Sequence, residues 1–599
     1  MISAEDIRLE KLVYRNVYLV NDRASWKNLK SSSNKEHDLV LCIDFGLKQA
    51  LQNDGFSVQF LDHLVHNRVL AVLNIDTHKF LYHWYKDTSG KDNLEYNGIG
   101  LGDAMLLNVL NDVTYFCHLF FNLYALKTLE FQSIMVSSKD QVLLQVLDIL
   151  GFEYKLDTYE LSEDWLVYSF PISKWMDEAI NRKTIRKKIK NVLSSSFDIF
   201  GLVWDYFTIK KRKRIYIQSY HPTVKIIERL LGDKDKRLIL PDFSFFHGVS
   251  RLIRQRRISY RSATVSKTEI QEVLQQYIQG EKFQWVYEGI DLSTILYKIV
   301  DEVVKENISE AILKAKVVSK YFNKYPLDLA IPVTDLWLEN RIVMNYCRNN
   351  DIPTFFIANG LLNNPLMNEG KDSNFVNCHS LACKEDYFFN AQNVYPLGDP
   401  RMDEYAEVEP KNVNRELPTI IIGAAGYDVT DLNSYLAFEF DFLFDILTSI
   451  YSLQVLGYQS KIVLKVRANG YSSLYDSFTK EYFPSLKVEI IQNTPFIEVV
   501  KRADLYISFY SQTIFEAASL GIPVIYYKKD TQTIFRPFDG KGDLVTATDD
   551  HTLIEKIELF YAGDSVFESF QKKANLEKFV GPLDGNNLKR NLDFINGLL

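Results

Sequence analysis

The residues best placed to do chemistry lie between Leu505 and Tyr527, LYISFYSQTIFEAASLGIPVIYY. An apolar strand (Leu505–Phe509) runs into Tyr510-Ser511-Gln512-Thr513, then a helix that stops at Gly521 with Pro523 beyond it, then a second apolar strand. Ser511 or Thr513 is placed to cap backbone N–H groups, so hydroxyls, amides and the positive end of a helix dipole converge on one point, a natural seat for a phosphate. Three further features gather at the same sheet edge. Lys465 and Arg467 end the preceding strand. Gly423–Gly426 (GAAG) follows another strand and lets backbone approach a ligand without a side chain in the way. Thr494 precedes a short helix, and Glu516, one turn into the capped helix, either holds a hydroxyl or answers the dipole.

A departing phosphate needs its negative charge stabilised by a metal ion or by protein donors. No Asp-x-Asp pair ends a strand of this second half, which favours oriented amides, hydroxyls and cations without a metal. The first half supplies groups for a general base or for holding a second substrate: Asp44, Asp335, Glu339 and Asn359, each at or just beyond an expected strand end. Asp44 and Asp335 read equally well as helix caps. Cys378, His379 and Cys383 have no second ligand pair nearby and read as structural.

Strands alternating with helices position these residues. Asp38–Asp62 is a βαβ opening, and Ile134–Gly151 and Arg214–Leu231 are further strand–turn–helix units, the latter turning at His221. Leu327–Leu362 and Val394–Tyr405 continue the pattern, and Lys267–Val317 reads as an outer helical layer. Gly98–Asp103 (GIGLGD) is glycine-rich but follows no clear strand, so it carries little weight as a phosphate loop. Ala406–Pro418 is polar and aperiodic, an expected linker. The expected organisation is therefore residues 1–405 with a basic helical insertion at about 182–317, a linker at 406–418, and a nucleotide-binding domain at 419–599. The fold class is α/β, two doubly wound parallel sheets.

KVRANGY, NTPFIEVVKRADLYISFYSQTIFEAASLGIPVIYY and the late VGPLDGNNLKRNLDFI resemble bacterial surface-polysaccharide glycosyltransferases of the GT-B type, nearest to capsule and lipopolysaccharide β-Kdo transferases and CDP-glycerol glycerophosphotransferases. Lys465-Val466-Arg467-Ala468 takes the slot of those families' Lys-Pro-His-Pro strand end, without its histidine. Ile357-Ala358-Asn359-Gly360 takes that of a Gln-His-Gly strand end, again without histidine, and Gly398-Asp399-Pro400-Arg401 resembles a Gly-x-Pro-Arg turn. The resemblance covers roughly residues 327–599. It implies two Rossmann-like domains facing a cleft, a nucleotide-sugar donor as co-substrate with no cofactor or metal, and a glycan or lipid-linked glycan acceptor. A CMP-linked 3-deoxy acid sugar is the favoured donor. Polyol-phosphate transfer from a CDP-glycerol-type donor is the alternative, and a non-catalytic scaffold with a degenerate cleft is a third reading.

Composition agrees with a soluble globular chain. The 599 residues exceed what one core holds, and 47% are hydrophobic and 24% charged. Five scattered cysteines argue against a disulfide framework and for a reducing cytoplasm. No signal-peptide run opens the sequence and no stretch is long and apolar enough to span a bilayer. The net charge of −8 hides a basic window, Arg182–Arg261, with 21 Lys and Arg against 6 Asp and Glu. That window suits an anionic membrane surface or an anionic glycan; no nucleic-acid module accompanies it.

Overall fold

The computed structural model of the chain describes residues 2–138, 140–157, 168, 212–241, 254–260, 263–362, 364–406, 408–409, 411–424, 431–467, 470, 472–529 and 535–599. The α/β class holds: the described residues form parallel sheets of five and six strands and, joined by a bridge, a set of four and three strands. Their inner strands are short runs such as VYLV, LVLC and TIIIG, buried almost throughout as expected where both faces are covered, while edge strands such as Tyr154–Leu156 and Val488–Ile491 are half-buried or exposed.

The first sheet comprises β1 (Asn16–Val20), β2 (Leu39–Cys42), β3 (Ser57–Phe60), β4 (Ser133–Ser137) and β5 (Tyr154–Leu156), in the order β3-β2-β1-β4-β5. Helix α1 (Phe45–Asn53) follows β2. The second group holds β6 (Lys213–Ile217), β7 (Lys236–Ile239), β8 (Gln255–Arg256) and β9 (Leu329–Ile331) in the order β8-β7-β6-β9, then β10 (Phe355–Ile357), β11 (Phe375–Asn377) and β12 (Val394–Tyr395), also parallel. A parallel bridge between Ala330 and Thr354 links the two sets. Among its helices are α2 (Val224–Gly232), α3 (Leu292–Lys324) and α4 (Leu338–Asn349).

The third sheet is β13 (Thr419–Gly423), β14 (Lys461–Lys465), β15 (Val488–Ile491), β16 (Leu505–Ser508), β17 (Val524–Tyr527) and β18 (Thr546–Ala547), in the order β15-β14-β13-β16-β17-β18. Helix α5 (Phe438–Val455) and the seven-residue α6 (Thr513–Ser519) flank it. The last helix is α7 (Asn587–Leu598).

These elements sort into two compact units, each made of three chain segments. Unit 1 is Met1–Thr77, Asn111–Asp177 and Lys411–Phe570; unit 2 is His78–Leu110, Glu178–Pro410 and Gln571–Leu599. This division cuts across the expected boundaries. The first and third sheets belong together, and the C-terminal segment belongs with the second. The packing gives the reason. Phe45 and Phe60, at the C-terminal ends of β2 and β3, enter one core with Phe438, Phe440 and Phe478 beside the third sheet, and the Phe45 and Phe478 rings meet edge-on at 5.6 Å. In unit 2, Ile595 of α7 is buried among Ile215, Ile227, Leu329 and Phe355. Much of the aromatic content is thus core.

Candidate functional site

The order of the third sheet reverses between β13 and β16, and ligands of open parallel sheets collect outside the strand ends at such a point. Gly423 and Ser508, the last residues of those two strands, are register partners. Above them lies a run of hydroxyls. Tyr506 Oη is 2.6 Å from Thr513 Oγ1, and Thr513 Oγ1 is 2.7 Å from Ser511 Oγ. Ser511 Oγ also accepts the Thr513 amide at 3.3 Å. In a chain of hydroxyls each O–H donates to the next, so the terminal proton is left to donate to an anion.

Of the residues expected at this edge, Ser511 and Thr513 are joined through their hydroxyls, and the charges of Glu516 and Arg467 act on the Tyr506 hydroxyl beside them. Burial pushes Tyr506 up to about 12; its hydrogen bonds with Ser508 and Thr513 oppose this, the Glu516 carboxylate adds to it, and the nearby Arg467 guanidinium works against it. Arg467 is exposed, and its charge also acts on Tyr475, where burial is the larger influence. Glu516 is half-buried in the first turn of α6.

Other expectations are revised. Lys465 donates to the carbonyls of Val466 at 2.9 Å and Gln492 at 2.7 Å, and burial lowers its pKa. Its ammonium therefore ties two strand ends together. The space beside Gly423 is occupied: a Cβ there would run into the Tyr506 hydroxyl and come within 2.7 Å of Ser508 Oγ. Gln512, not Ser511 or Thr513, is the N-cap of α6, in helical conformation and without a side-chain cap. With α6 only seven residues long, hydroxyls contribute more here than a helix dipole. Tyr510 packs edge-on against Phe538 at 4.7 Å, Thr494 sits exposed in the bend before Phe496–Val500, and Gly426 lies outside the described residues. Tyr506 and Ser508 were missed because alternation along a buried strand reads only as core.

The four residues expected on the acceptor side fall in different units. Asp44 is in unit 1. It is buried and caps α1, accepting the Leu47 amide at 2.7 Å and the Tyr168 amide at 2.5 Å. Burial raises its pKa to about 7 against those bonds, and an aromatic core surrounds it, so its role is structural. The other three are in unit 2. Asp335 is fully buried, accepting from Arg341 Nη1 at 2.9 Å and from the Gly370 amide at 3.3 Å, with burial raising it to about 6 against the pull of Arg341. The same guanidinium holds both Asp103 oxygens, at 2.8 and 2.9 Å, and Asp372 at 2.6 Å.

Glu339, in the first turn of α4, lies near Tyr260, whose pKa is raised first by burial and second by the charge of this carboxylate. The Asn359 carbonyl accepts from Arg401 Nη2 at 2.9 Å, and Arg401 also grips Asp399 at 2.7 Å. Beside that pair lies buried His379, which burial lowers to about 4. At the reversal of the second sheet, between β6 and β9, Gln218 Oε1 accepts the amides of Val333 (2.8 Å) and Thr334 (2.9 Å). A side chain thus fills that switch point.

No family model matches the chain, and no curated protein matches it. Among solved structures it is similar to UDP-GlcNAc 2-epimerase from Methanocaldococcus jannaschii, with TM-score 0.40 and 14% identity over 64% of this chain and 99% of that one. The epimerase from Neisseria meningitidis bound to UDP-GlcNAc gives TM-score 0.37 and 14% identity, over 64% and 100%. The wall teichoic acid polymerase TagF gives TM-score 0.37 and 14% identity, over 72% and 98%. No helix among the described residues is long and apolar enough to cross a membrane, and no group of three or more His, Cys, Asp or Glu side chains among them is arranged to hold a metal ion.

Proposed function

We propose that the protein is a glycosyltransferase of the GT-B type, in which the reversal point of the third sheet seats the phosphate of a nucleotide-activated sugar. One observation carries the reading: the Tyr506–Thr513–Ser511 hydroxyl chain stands over Gly423 and Ser508 within the field of Arg467. As the glycosidic bond to phosphate breaks, the leaving oxygens accept from the terminal hydroxyl and from the Arg467 guanidinium. Donors fixed beforehand stabilise that charge without reorganising at the moment of reaction. This donor set consists of hydroxyls and a cation rather than carboxylates, so the reading is metal-independent. In its narrow form the donor is a CMP-linked 3-deoxy acid sugar and the acceptor a surface glycan. The motif resemblance that supports this also keeps a CDP-glycerol-type donor in view. The basic window 182–261 supports docking on an anionic membrane face, which flotation with anionic and neutral liposomes would test.

Calorimetry with CMP, CDP, UDP and GDP tests the phosphate seat. At least one should bind, and Arg467→Ala or Ser511→Ala should each weaken that binding about tenfold or more, as expected for a lost charge-assisted hydrogen bond. Unchanged binding in both variants would sink the assignment. Donor hydrolysis assays with the corresponding linked compounds separate the sugar from the polyol-phosphate form, and a chelator should leave the rate unchanged.

A further inference from the structure

The glycine-rich run Gly98–Asp103 has a different use in unit 2 from the phosphate loop it superficially resembles. Residues Glu95–Tyr96 and Ile99–Gly100 pair as a short antiparallel hairpin. A Cβ at Gly100 would come within 2.6 Å of Asp92 Oδ2, and one at Gly102 within 2.7 Å of Asp92 Oδ1. The glycines therefore let the Asp92 carboxylate lie on the backbone, where it accepts the amides of Leu94 at 2.8 Å and Asp103 at 2.9 Å.

Opposite, α4 presents Arg341, Asn345 and Arg348, spaced to share one helix face. These side chains, with Asp92, Asp103 and Asp372, line a cavity of about 280 Å³. Asn345 is only 5% exposed; its Nδ2 donates to the Gly100 carbonyl at 3.0 Å, while its Oδ1 is buried with no hydrogen-bond partner. A buried acceptor left unpaired is costly, and this one is sealed from solvent, so Asn345 serves the cavity by holding the Gly100 carbonyl of the hairpin wall.

The wall decides the ligand class. An inorganic or nucleotide phosphate would face Glu95, Asp103 and Asp372 beside the cations Lys86 and Arg348, while the buried cation, Arg341, is already matched by three carboxylates. A divalent ion would meet that same guanidinium. A neutral polyhydroxylated ring suits the mixture, because each hydroxyl both donates to a carboxylate or amide oxygen and accepts from a guanidinium. The volume lies just below the lower end of drug-sized pockets, about 300 Å³, which suits a single ring. We propose that the cavity between the 95–100 hairpin and α4 is a subsite for one neutral sugar residue. This goes beyond the donor-phosphate reading and rests on unit 2 alone.

Saturation-transfer NMR on the full chain, with the methyl glycosides of glucose, galactose, mannose and N-acetylglucosamine, should show transfer to at least one, with a Kd in the millimolar range. Asn345→Ala, which releases the Gly100 carbonyl of the hairpin wall, should weaken binding about fivefold, as for one lost hydrogen bond. Arg348→Ala, at a side chain 52% exposed and therefore safe for folding, should do the same. The subsite is refuted if none of the four glycosides receives transfer, if transfer survives both substitutions undiminished, or if inorganic phosphate binds wild type and loses that binding in Arg348→Ala. Titrating CMP into the same samples reports the unit 1 site separately, so failure of one assignment is distinguishable from failure of the other.

Discussion

Gly423 and Tyr506 show how closely the candidate donor site is tied to packing. The tyrosine hydroxyl occupies the space that a larger residue at 423 would need. Gly423→Ala should cost about 1–3 kcal/mol, as overpacking typically does, read as a lower melting temperature. Removing the obstructing hydroxyl should relieve part of that strain. In a double-mutant cycle the penalty of Gly423→Ala is therefore expected to shrink in a Tyr506→Phe background. Additive penalties would mean that the hydroxyl does not limit the space. Arg341 is the corresponding residue in unit 2. Replacing it with Met strands Asp103, Asp335 and Asp372, and breaking a buried pair by removing one partner costs about 3–5 kcal/mol. Lys is expected to restore little, since one ammonium cannot reproduce the fork that bonds Asp103 through two nitrogens.

At the scale of elements, α7 closes a core that it does not begin. Asn591 Oδ1 accepts from Asn377 Nδ2 at 2.8 Å, and Asn587 Nδ2 donates to the Asp399 carbonyl at 3.1 Å. Deleting residues 571–599 should therefore expose the 215–357 core to limited proteolysis while sparing residues 411–570; equal protection of both regions would contradict this.

Local elements were legible in the sequence wherever apolar period, cap and stop agreed. Gly151 ends its helix at φ 73° as expected, and the strand and helix of 505–519 appear where the pattern put them. What sequence could not supply was long-range pairing. Nothing local in DLVLCIDFG says that its strand end will be buried under Phe478 rather than opened to a ligand, so the sequence left Asp44 between catalytic candidate and helix cap, and the fold makes it the cap. The paired hydroxyls of Ser511 and Thr513 were legible from their place in the turn before the helix. The Arg341 network was not, because its members Asp103, Asp335 and Asp372 are scattered along the chain and only folding makes them neighbours.

For the whole molecule, buried carboxyls set the response to pH. Burial pushes Asp44, Asp62, Asp92, Asp335 and Glu369 up to values between about 6 and about 8. An unfolded carboxyl titrates near about 4, so the folded state binds these protons more tightly. The stability they lend is complete below about pH 4 and is lost as pH rises through their folded values. Asp441, buried but held down by Lys529 and Lys48, acts the other way at about 2 and is lost only in acid. Melting temperature should therefore fall between about pH 5.5 and about pH 8.5, and Asp92→Asn should flatten that slope; a rise over the same interval would contradict the assignment.

The interleaving of the two units also bears on how such a chain can be made and rearranged. With three segments apiece, the polypeptide passes between them five times. On the ribosome, β1 to β5 emerge well before residues 411–570, the partners that bury Phe45, and unit 2 waits for Gln571–Leu599. Neither half is a cassette: a recombination joint at any single position would hand the recipient an incomplete core.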